Sequence, residues 1–261
     1  MHIVRAAMIG DVVAEPGLKA LEQKLPQIIK DNAIDITVVN GENAAEGFGM
    51  TEASLLRILA CGADVVTSGN HVWEKREFWQ TLDTHDKILR PANYPKSPGR
   101  GWLCMEKAGI NWLVINVQGR ESMTPLDCPF RCVDKIIQEE VKLSGTPPVI
   151  LVDFHAESSR EKEALGYYLD GRATLVAGTH THVQTADERI LPKGTAYITD
   201  LGMTGLTNSV IGMDVKICLD RIRKQVLYRM EPAGGEGPTA VQGIIAEIDT
   251  ESGKAVSVRR I

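Results

Sequence analysis

The chain alternates short apolar runs with longer amphipathic stretches, and this alternation limits its possible folds more than any other feature. The first cycles read IVRAAMIG, GLKALEQKLPQIIKD, DITVVN, TEASLLRILACG, ADVVTSG and EKREFWQTLDTH. Short apolar runs bounded by turn residues are typical of buried strands, whereas apolar residues spaced three and four apart are typical of helices. The pattern predicts successive βα units around a mostly parallel sheet.

The same alternation continues in the second half with NWLVINVQG, VDKIIQEEVKLSG, PPVILVDFHA, SREKEALGYYLDG, ATLVAGTHTH and GTAYITDLG. The last stretch, GIIAEIDTESGKAVSVRRI, has two alternating segments around a Ser252-Gly253 turn and predicts a β-hairpin. We therefore expect antiparallel strands at the end of the chain, in the first sheet or in a second sheet packed on it. The Pro- and Gly-rich segments RPANYPKSPGRG and MEPAGGEGPTA are predicted to be surface loops.

Length and charge narrow the class of protein. With 261 residues, of which 43% are hydrophobic, the chain predicts a single domain over residues 1–261. Its formal net charge of -5 does not favour binding of long nucleic acid. Arg5 and Asp11 interrupt any secretory apolar core, and no uncharged apolar run approaches the ~18 residues of a membrane helix. We expect a cytoplasmic protein without a membrane partner, and an oligomer is possible because closed homo-oligomers are common.

Polar side chains follow the predicted strands at the ends where parallel strands share one edge, which is where α/β sheets bind ligands. These residues include four of the six histidines, and they are Asp11, Glu42, Asn43, Asn70, His71, His155, His180 and His182. Each has an ordinary alternative when it is considered alone. An Asp after a strand often caps a helix, an Asn often forms a turn with positive φ, and a single His is often a hydrogen-bonded structural residue.

Considered together, the residues favour a metal centre. The His180 and His182 pair has a period of two, which in an extended segment points both rings to one side. Imidazoles, carboxylates and amide oxygens together suit borderline cations such as Mn, Fe, Co or Zn. The candidate ligands exceed what one tetrahedral ion needs, so we expect two cations that share a carboxylate. The cysteines do not form a second metal motif, because Cys128 and Cys132 lack the paired Cys-x-x-Cys spacing.

The motifs resemble a known superfamily. The set GD, GNH, H and GH-x-H resembles the calcineurin-like metallophosphoesterases, and the segments NGEN, VTSGNHVW, RPANYP, VDFHAE, GTHTHVQTADE and AYITDLGMTG resemble its YmdB-like branch. The resemblance extends from Ile3 to about Met213 and continues more weakly to the end. It implies two packed mixed β-sheets flanked by helices, which is an αββα sandwich.

The resemblance also implies a ligand set. The first metal would be bound by Asp11, Glu42, Asn43 and His182, and the second by Glu42, Asn70, His155 and His180, with Glu42 as the bridge. The chain departs from the wider superfamily in having Val12 and Val13 in place of the Asp-x-His continuation, and Glu42 in place of the bridging Asp. The branch shows the same exchange. The resemblance to this branch favours iron as the bound metal, as Fe2+ and Fe3+, with Mn2+ as second choice.

The implied activity is that of a phosphodiesterase acting on small cyclic nucleotides, with 2′,3′-cyclic nucleotides favoured. A metal-bridging hydroxide would attack phosphorus, and His71 would be the general acid. His71 has two alternatives, as a further metal ligand or as a hydrogen-bonded strand-end residue. Asn93 and Tyr94 are expected at the pocket mouth. Two other functions stay open: a phosphomonoesterase or nucleotidase on the same metals, and a regulatory protein that acts mainly through an RNA-turnover partner.

Overall fold

The structure, a computed structural model, describes residues 2–144 and 148–261. The predicted helix VDKIIQEEVKLSG and the predicted strand PPVILVDFHA meet at residues 145–147, which lie outside the described residues. The described part of the chain forms six α-helices: α1 (Ala14–Asp31), α2 (Glu52–Ala60), α3 (Trp79–Thr84), α4 (Pro129–Ser144), α5 (Ser159–Leu169) and α6 (Val215–Lys224). A short 3-10 helix, Arg76–Phe78, precedes α3.

The strands follow the predicted order, with several short ones in addition. They are β1 (Ile3–Ile9), β2 (Asp11–Val12), β3 (Ile36–Asn40), β4 (Val65–Thr67), β5 (Trp102–Lys107), β6 (Ile110–Gln118), β7 (Val149–His155), β8 (Leu175–Thr179), β9 (Arg189–Ile190), β10 (Ala196–Ile198), β11 (Met203–Leu206), β12 (Thr239–Val241), β13 (Gly243–Asp249) and β14 (Lys254–Arg260).

Two mixed sheets carry the fold. The first has the strand order β14-β13-β1-β3-β4, and the second has the order β5-β6-β7-β8-β10-β9. Strands β1, β3 and β4 are parallel, as are β6, β7, β8 and β10. The predicted hairpin is confirmed: β13 and β14 are antiparallel, and β13 pairs antiparallel with β1, so the hairpin belongs to the first sheet. A small sheet, β12-β11-β2, lies beside them.

The layers follow from which faces of the strands are apolar. Strand β7 is buried along its whole length, as expected for a strand covered on both faces. Leu151 packs between the two sheets with Met8 and Trp112, whereas its neighbours Ile150 and Val152 pack under α4 and α5. The residues of α1 and α2 cover the outer face of the first sheet in the same way. The expected αββα sandwich is confirmed.

The two sheets are joined by hydrogen bonds at the edge where their parallel strands end. Asn40, at the end of β3, donates from its amide to the carboxylate of Asp153 on β7 at 3.0 Å. Thr67, at the end of β4, donates to the same carboxylate. All three side chains are buried. The carboxyl ends of strands from both sheets are therefore held against each other, so residues that follow these strands converge.

The loop RPANYPKSPGRG is less exposed than its composition predicted. Arg90 is buried, and its guanidinium donates to the carbonyl oxygens of Pro91, Ser97 and Pro98. Arg has five N–H donors in a fixed fork, so one side chain can satisfy several loop carbonyls that would otherwise need water. The prediction of a surface loop was wrong for the first residues of RPANYPKSPGRG, which are buried. Residues 234–238 of MEPAGGEGPTA are exposed as expected.

Within the described residues, no helix is both long and apolar enough to cross a membrane.

Replacing Leu151 with Ala should destabilise the sandwich strongly. The side chain is fully buried between the sheets, and such truncations lower the free energy of unfolding by about 2–5 kcal/mol. Leu143→Ala is the matched control, because Leu143 is 79% exposed on α4. Chemical denaturation of both variants checks this, and equal destabilisation would contradict the assignment of Leu151 to the inter-sheet core.

Candidate metal centre

All eight polar residues expected at the strand ends lie together. Glu42 and Asn43 follow β3, whereas His155 ends β7 and His180 follows β8. Donor atoms of Glu42, His155 and His180 all lie within 4.8 Å of one another. The side chains of His155 and Glu42 are almost completely buried. The edge of the sandwich therefore concentrates charged and polar atoms, and its innermost side chains are shielded from solvent.

One group of donor atoms surrounds Nε2 of His155. This nitrogen lies 3.1 Å from Oε1 of Glu42, 2.9 Å from Oδ1 of Asn70 and 3.0 Å from Nδ1 of His180. The other ring nitrogen of His180 lies 3.1 Å from Oε2 of Glu157. Two imidazole nitrogens, a carboxylate oxygen and an amide oxygen thus point toward a common point.

The orientation of His155 is set on its far side. Its Nδ1 lies 2.9 Å from Oγ1 of Thr179, and that hydroxyl donates to Oδ1 of Asp153 at 2.7 Å. A hydroxyl has a single hydrogen, so Thr179 must accept from Nδ1–H of His155. This directs Nε2 toward Glu42 and Asn70, as in a metal-binding histidine whose second nitrogen donates to a fixed acceptor.

A second group of donor atoms includes Asp11, Asn43 and His182. Nδ1–H of His182 donates to the carbonyl oxygen of Ile211 at 2.8 Å, so Nε2 is the acceptor nitrogen and receives the amide N–H of Asn43. That Nε2 lies 4.0 Å from Oδ1 of Asp11 and 2.9 Å from the amide nitrogen of Asn43. Oδ1 of Asp11 and Oδ1 of Asn43 are buried and have no hydrogen-bond partner.

The ordinary alternatives for several of these residues do not hold. Asp11 does not cap α1, because the N-cap residue is Val13. Neither Asn43 nor Asn70 is among the described residues with positive φ, so neither is a left-handed turn former. Asp11 is therefore not a helix cap, and the two Asn residues are not positive-φ turn residues. This strengthens the interpretation of the three side chains as metal ligands.

Burial and mutual charge shift the pKa values of the group. Burial raises the pKa of Asp11 to about 7. Burial would also raise that of Glu42, but the charge and hydrogen bond of His155 outweigh it and lower the pKa to about 2. Burial opposes protonation of His155, yet Glu42 raises its pKa to about 9. Burial and the nearby His155 lower the pKa of His180 to about 3.

These residues fit metal ions. Buried acceptor oxygens without partners are costly, and a cation among them removes that cost. The donors are the imidazole, carboxylate and amide groups that borderline transition metals accept. The lack of a side chain at Gly69 also leaves room for the donors. A Cβ there would lie 2.2 Å from Oε2 of Glu42 and 2.3 Å from the ring of His155.

The segment with His180 and His182 converges for a different reason from the one predicted. Strand β8 ends at Thr179, and both histidines have positive φ, 102° and 63°. The expectation that strand alternation points both rings to one side was wrong. Non-glycine residues at positive φ are strained, so the surrounding structure must hold them.

A buried ion pair holds this strained segment. The backbone N–H and the hydroxyl of Thr181 both donate to Oδ2 of Asp200, at 3.1 and 2.7 Å. Nζ of Lys162, on α5, donates to the same oxygen at 2.7 Å, and both Lys162 and Asp200 have side chains that are 1% exposed. The sequence did not reveal Lys162, since a single Lys in an amphipathic helix has no distinguishing pattern.

His71 lies at the rim of the donor groups. Its backbone N–H donates to Oε2 of Glu42 at 3.3 Å, and its Nδ1 lies 3.4 Å from Oε1 of Glu74. Its ring packs edge-on against Phe48, with ring centroids 5.1 Å apart. A cavity of about 350 Å³ opens here, and its lining residues are Glu42, Asn43, Phe48, His71, Glu157, His180, Thr181, His182, Ile211, Met213 and Met230.

The expectation for Asn93 and Tyr94 was wrong, since neither residue lines this cavity. Asn93 is buried and donates to the carbonyl oxygens of Gln118 and Asp127. Tyr94 donates to Oε1 of Gln118 and packs edge-on against Trp73. Both residues stabilise the RPANYP loop by donating to oxygens of Gln118 and Asp127, and the buried oxygens of Gln118 require hydrogen-bond donors.

The αββα sandwich, with polar side chains at the carboxyl ends of both sheets, is the fold of the calcineurin-like metallophosphoesterases. The described cysteines are free and none lies among the donors. A sequence model of the YmdB-like proteins matches residues 7–261. The chain belongs to the YmdB-like family.

Individual relatives agree with this assignment. The chain is 45% identical over 259 residues to the 2′,3′-cyclic-nucleotide 2′-phosphodiesterase of Bacillus subtilis, with 99% of this chain and 96% of that protein covered. A crystal structure of a hypothetical Thermus thermophilus protein is 41% identical, with a TM-score of 0.89 and 99% and 98% of the two chains covered. A crystal structure of a novel phosphatase from Mycoplasma pneumoniae is 28% identical, with a TM-score of 0.92 and 100% and 93% covered. The chain is a phosphoric ester hydrolase.

Replacing Lys162 with Met should leave the Asp200 carboxylate buried without its cation. Breaking a buried ion pair on one side typically costs about 3–5 kcal/mol, so we expect a loss of that size in the free energy of unfolding. Lys135→Met is the matched control, because the Lys135 side chain is 76% exposed on α4. Chemical denaturation compares the two, and a loss for Lys162→Met no larger than for the control would remove the ion pair as a support.

Proposed function

We propose that the protein hydrolyses small cyclic nucleotides, with 2′,3′-cyclic nucleotides favoured, at a pair of metal ions bound by the two donor groups. The observation that carries this proposal is the convergence of buried donor atoms, including the unpartnered oxygens of Asp11 and Asn43, beside a cavity that Glu42, Asn43, His180 and His182 line. The substrate class is supported by the activity named for the Bacillus subtilis relative.

The first metal would be held by Asp11, Glu42, Asn43 and His182, and the second by Glu42, Asn70, His155 and His180. Glu42 suits the bridging position because its Oε1 lies 3.1 Å from His155 in one group and 3.3 Å from the amide nitrogen of Asn43 in the other. We favour iron, with Mn2+ second, and these donors are compatible with both. When bound, such ions neutralise charge on phosphoryl oxygens and generate a nucleophilic hydroxide at neutral pH.

The protein's own residues then orient the ester and move a proton. His71 is the proposed general acid, because it lines the cavity and its ring is not part of the cluster that Glu42, His155 and His180 form. With Nδ1 beside Glu74, Nε2 is left to donate to the departing ribose oxygen. Departure of the 2′-oxygen leaves a nucleoside 3′-monophosphate.

The size of the cavity supports a small substrate. Its volume of about 350 Å³ is within the range of small-molecule sites. The formal charge of -5 does not provide the basic surface that a long polyanion needs. A panel of 2′,3′-cyclic, 3′,5′-cyclic and monoester nucleotides tests the proposal directly. Activity on monoesters alone would overturn it in favour of a nucleotidase.

His71→Ala should retain the metals and lose turnover. Loss of a general acid typically lowers the rate about 100- to 10,000-fold. Elemental analysis of protein purified without chelators, together with kcat for a 2′,3′-cyclic nucleotide, measures both effects. His2→Ala is the matched control, since His2 is exposed and outside the site. A reduced metal content in His71→Ala would instead make His71 a ligand, and full turnover would remove it from the mechanism.

Metal binding should depend on pH. The carboxylate of Glu42 outweighs burial and raises the pKa of His155 to about 9 in the metal-free protein, so His155 carries a proton at neutral pH that a cation must displace. We expect the affinity for Mn2+ to rise about tenfold per pH unit below that pKa, with proton release on binding. Calorimetry at pH 7.5 in two buffers of different ionisation enthalpy measures the release. Binding without proton release would contradict His155 as a ligand.

A further inference from the structure

We infer that the apolar part of the cavity lining, beside the metal donors, is the binding surface for the base of the substrate. This apolar wall consists of Phe48, Ile211, Met213 and Met230. The inference rests on the proposed function. The metal donors account for the phosphate ester of a nucleotide, and the wall accounts for its base. The base is recognised through its face, which packs against an aromatic ring and two thioether side chains.

The position of Phe48 is fixed relative to the metal donors. Phe48 lies in the same loop as Glu42 and Asn43, and the loop is closed by tight backbone hydrogen bonds. The N–H of Phe48 donates to the carbonyl oxygen of Ala45 at 3.0 Å, and the N–H of Ala45 donates to that of Gly49 at 2.9 Å. A base against Phe48 would therefore stand at a set distance from an ester at the metals.

The rest of the wall is also tied to the donors. The backbones of Val210 and Met213 exchange two hydrogen bonds, of 3.0 and 2.9 Å, which close a tight turn. Within that turn, the carbonyl oxygen of Ile211 accepts from Nδ1–H of His182. Phe48 and Met230 pack beside the buried Met213. The wall and the donor group of Asp11, Asn43 and His182 thus share the turn at Ile211 as a support.

The chemistry of the wall suits the face of a heterocycle. Aromatic rings stack on nucleobases, and the polarizable sulfur of Met contacts rings favourably while adapting to their shape. None of the wall's four side chains has a polar group that could read the edge of a base. Since every base has a π-face, we expect the wall to accept all four bases with similar affinity.

A neighbouring cavity limits what else the substrate carries. This cavity of about 670 Å³ shares Phe48 and Met230 with the first, so a base can extend past the wall. Its charged lining residues are Glu46, Glu74, Lys75, Arg229 and Glu231. Nζ of Lys75 is already paired with Glu46 at 2.6 Å. An excess of acidic groups does not favour a further phosphate, so the occupant is a neutral base and the substrate is a mononucleotide.

The test compares substrates with and without a base. The substrates are the four nucleoside 2′,3′-cyclic phosphates and base-free ribose 2′,3′-cyclic phosphate. For the wild-type enzyme we expect KM to be about tenfold higher without the base, and the four bases to differ by less than about threefold. Met230→Ala and Phe48→Leu should each raise KM for the nucleotides about tenfold more than KM for the base-free ester.

The Met230 variant and a surface control distinguish loss of base binding from a change in catalysis or in stability. Phe48 also touches His71, so Phe48→Leu can change kcat, whereas no ring or hydrogen-bond contact joins Met230 to His71 in the described structure. Leu227→Ala is the matched control, because Leu227 lies near Met230 in sequence but is 88% exposed and lines neither cavity. Calorimetric affinities for adenosine 3′-monophosphate and ribose 3-phosphate provide a readout that does not depend on turnover.

The outcomes distinguish failure of the proposed base-binding wall from failure of the proposed phosphodiesterase activity. Hydrolysis of both substrate types with equal KM would overturn the apolar wall while leaving the proposed function intact. Equal losses on both substrate types in Met230→Ala, or a preference of more than tenfold for one base, would likewise overturn recognition by the base face. If the wild-type enzyme with its metals hydrolyses neither type, the proposed function itself fails.

Discussion

The rest of the structure depends on a group of polar atoms that it buries at one point, because such atoms repel one another unless positive charge lies among them. Nε2 of His155, the carboxylate of Glu42 and the amide oxygen of Asn70 lie about one hydrogen-bond length apart, with His180 adjoining them. The side chains of Glu42 and His155 are buried, so the cost of such an arrangement is greater than at a surface. Only positive charge among these atoms reduces it, which in the metal-free protein is the proton on His155. The site therefore stores a preference for cations before any cation binds.

That arrangement persists because contacts behind the donors hold them in place. Asp153 joins the two sheets through Asn40 and Thr67 and also orients His155 through the hydroxyl of Thr179. The pair of Lys162 and Asp200 similarly holds the backbone between His180 and His182 at strained angles. Both supports are buried and charged or polar, so a substitution in either would disturb the donors without touching them. Catalytic geometry and the stability of the sandwich are consequently coupled.

Much of this arrangement could be predicted from the sequence. The βα alternation predicted the order of layers, because the period of apolar residues records which faces are covered. The motifs with Asp11, Glu42, His155 and His182 identified the residues that converge, because the ends of parallel strands share an edge. Lys162 could not be identified, since its importance arises from an acidic partner far along the chain. Helix α6 and the strands of the small sheet were also missed, because they are short or lack a regular pattern.

The sequence by itself determined the class of fold and the chemical types of the donors, since both depend on local periodicity and on residue identity after each strand. Tertiary structure decided which nitrogen of His155 and of His182 faces the other donors, how the segment after β8 turns, and that Phe48 lines the same cavity as the donors. These features depend on contacts between residues far apart in the chain. A local pattern of side chains has no means to record such contacts.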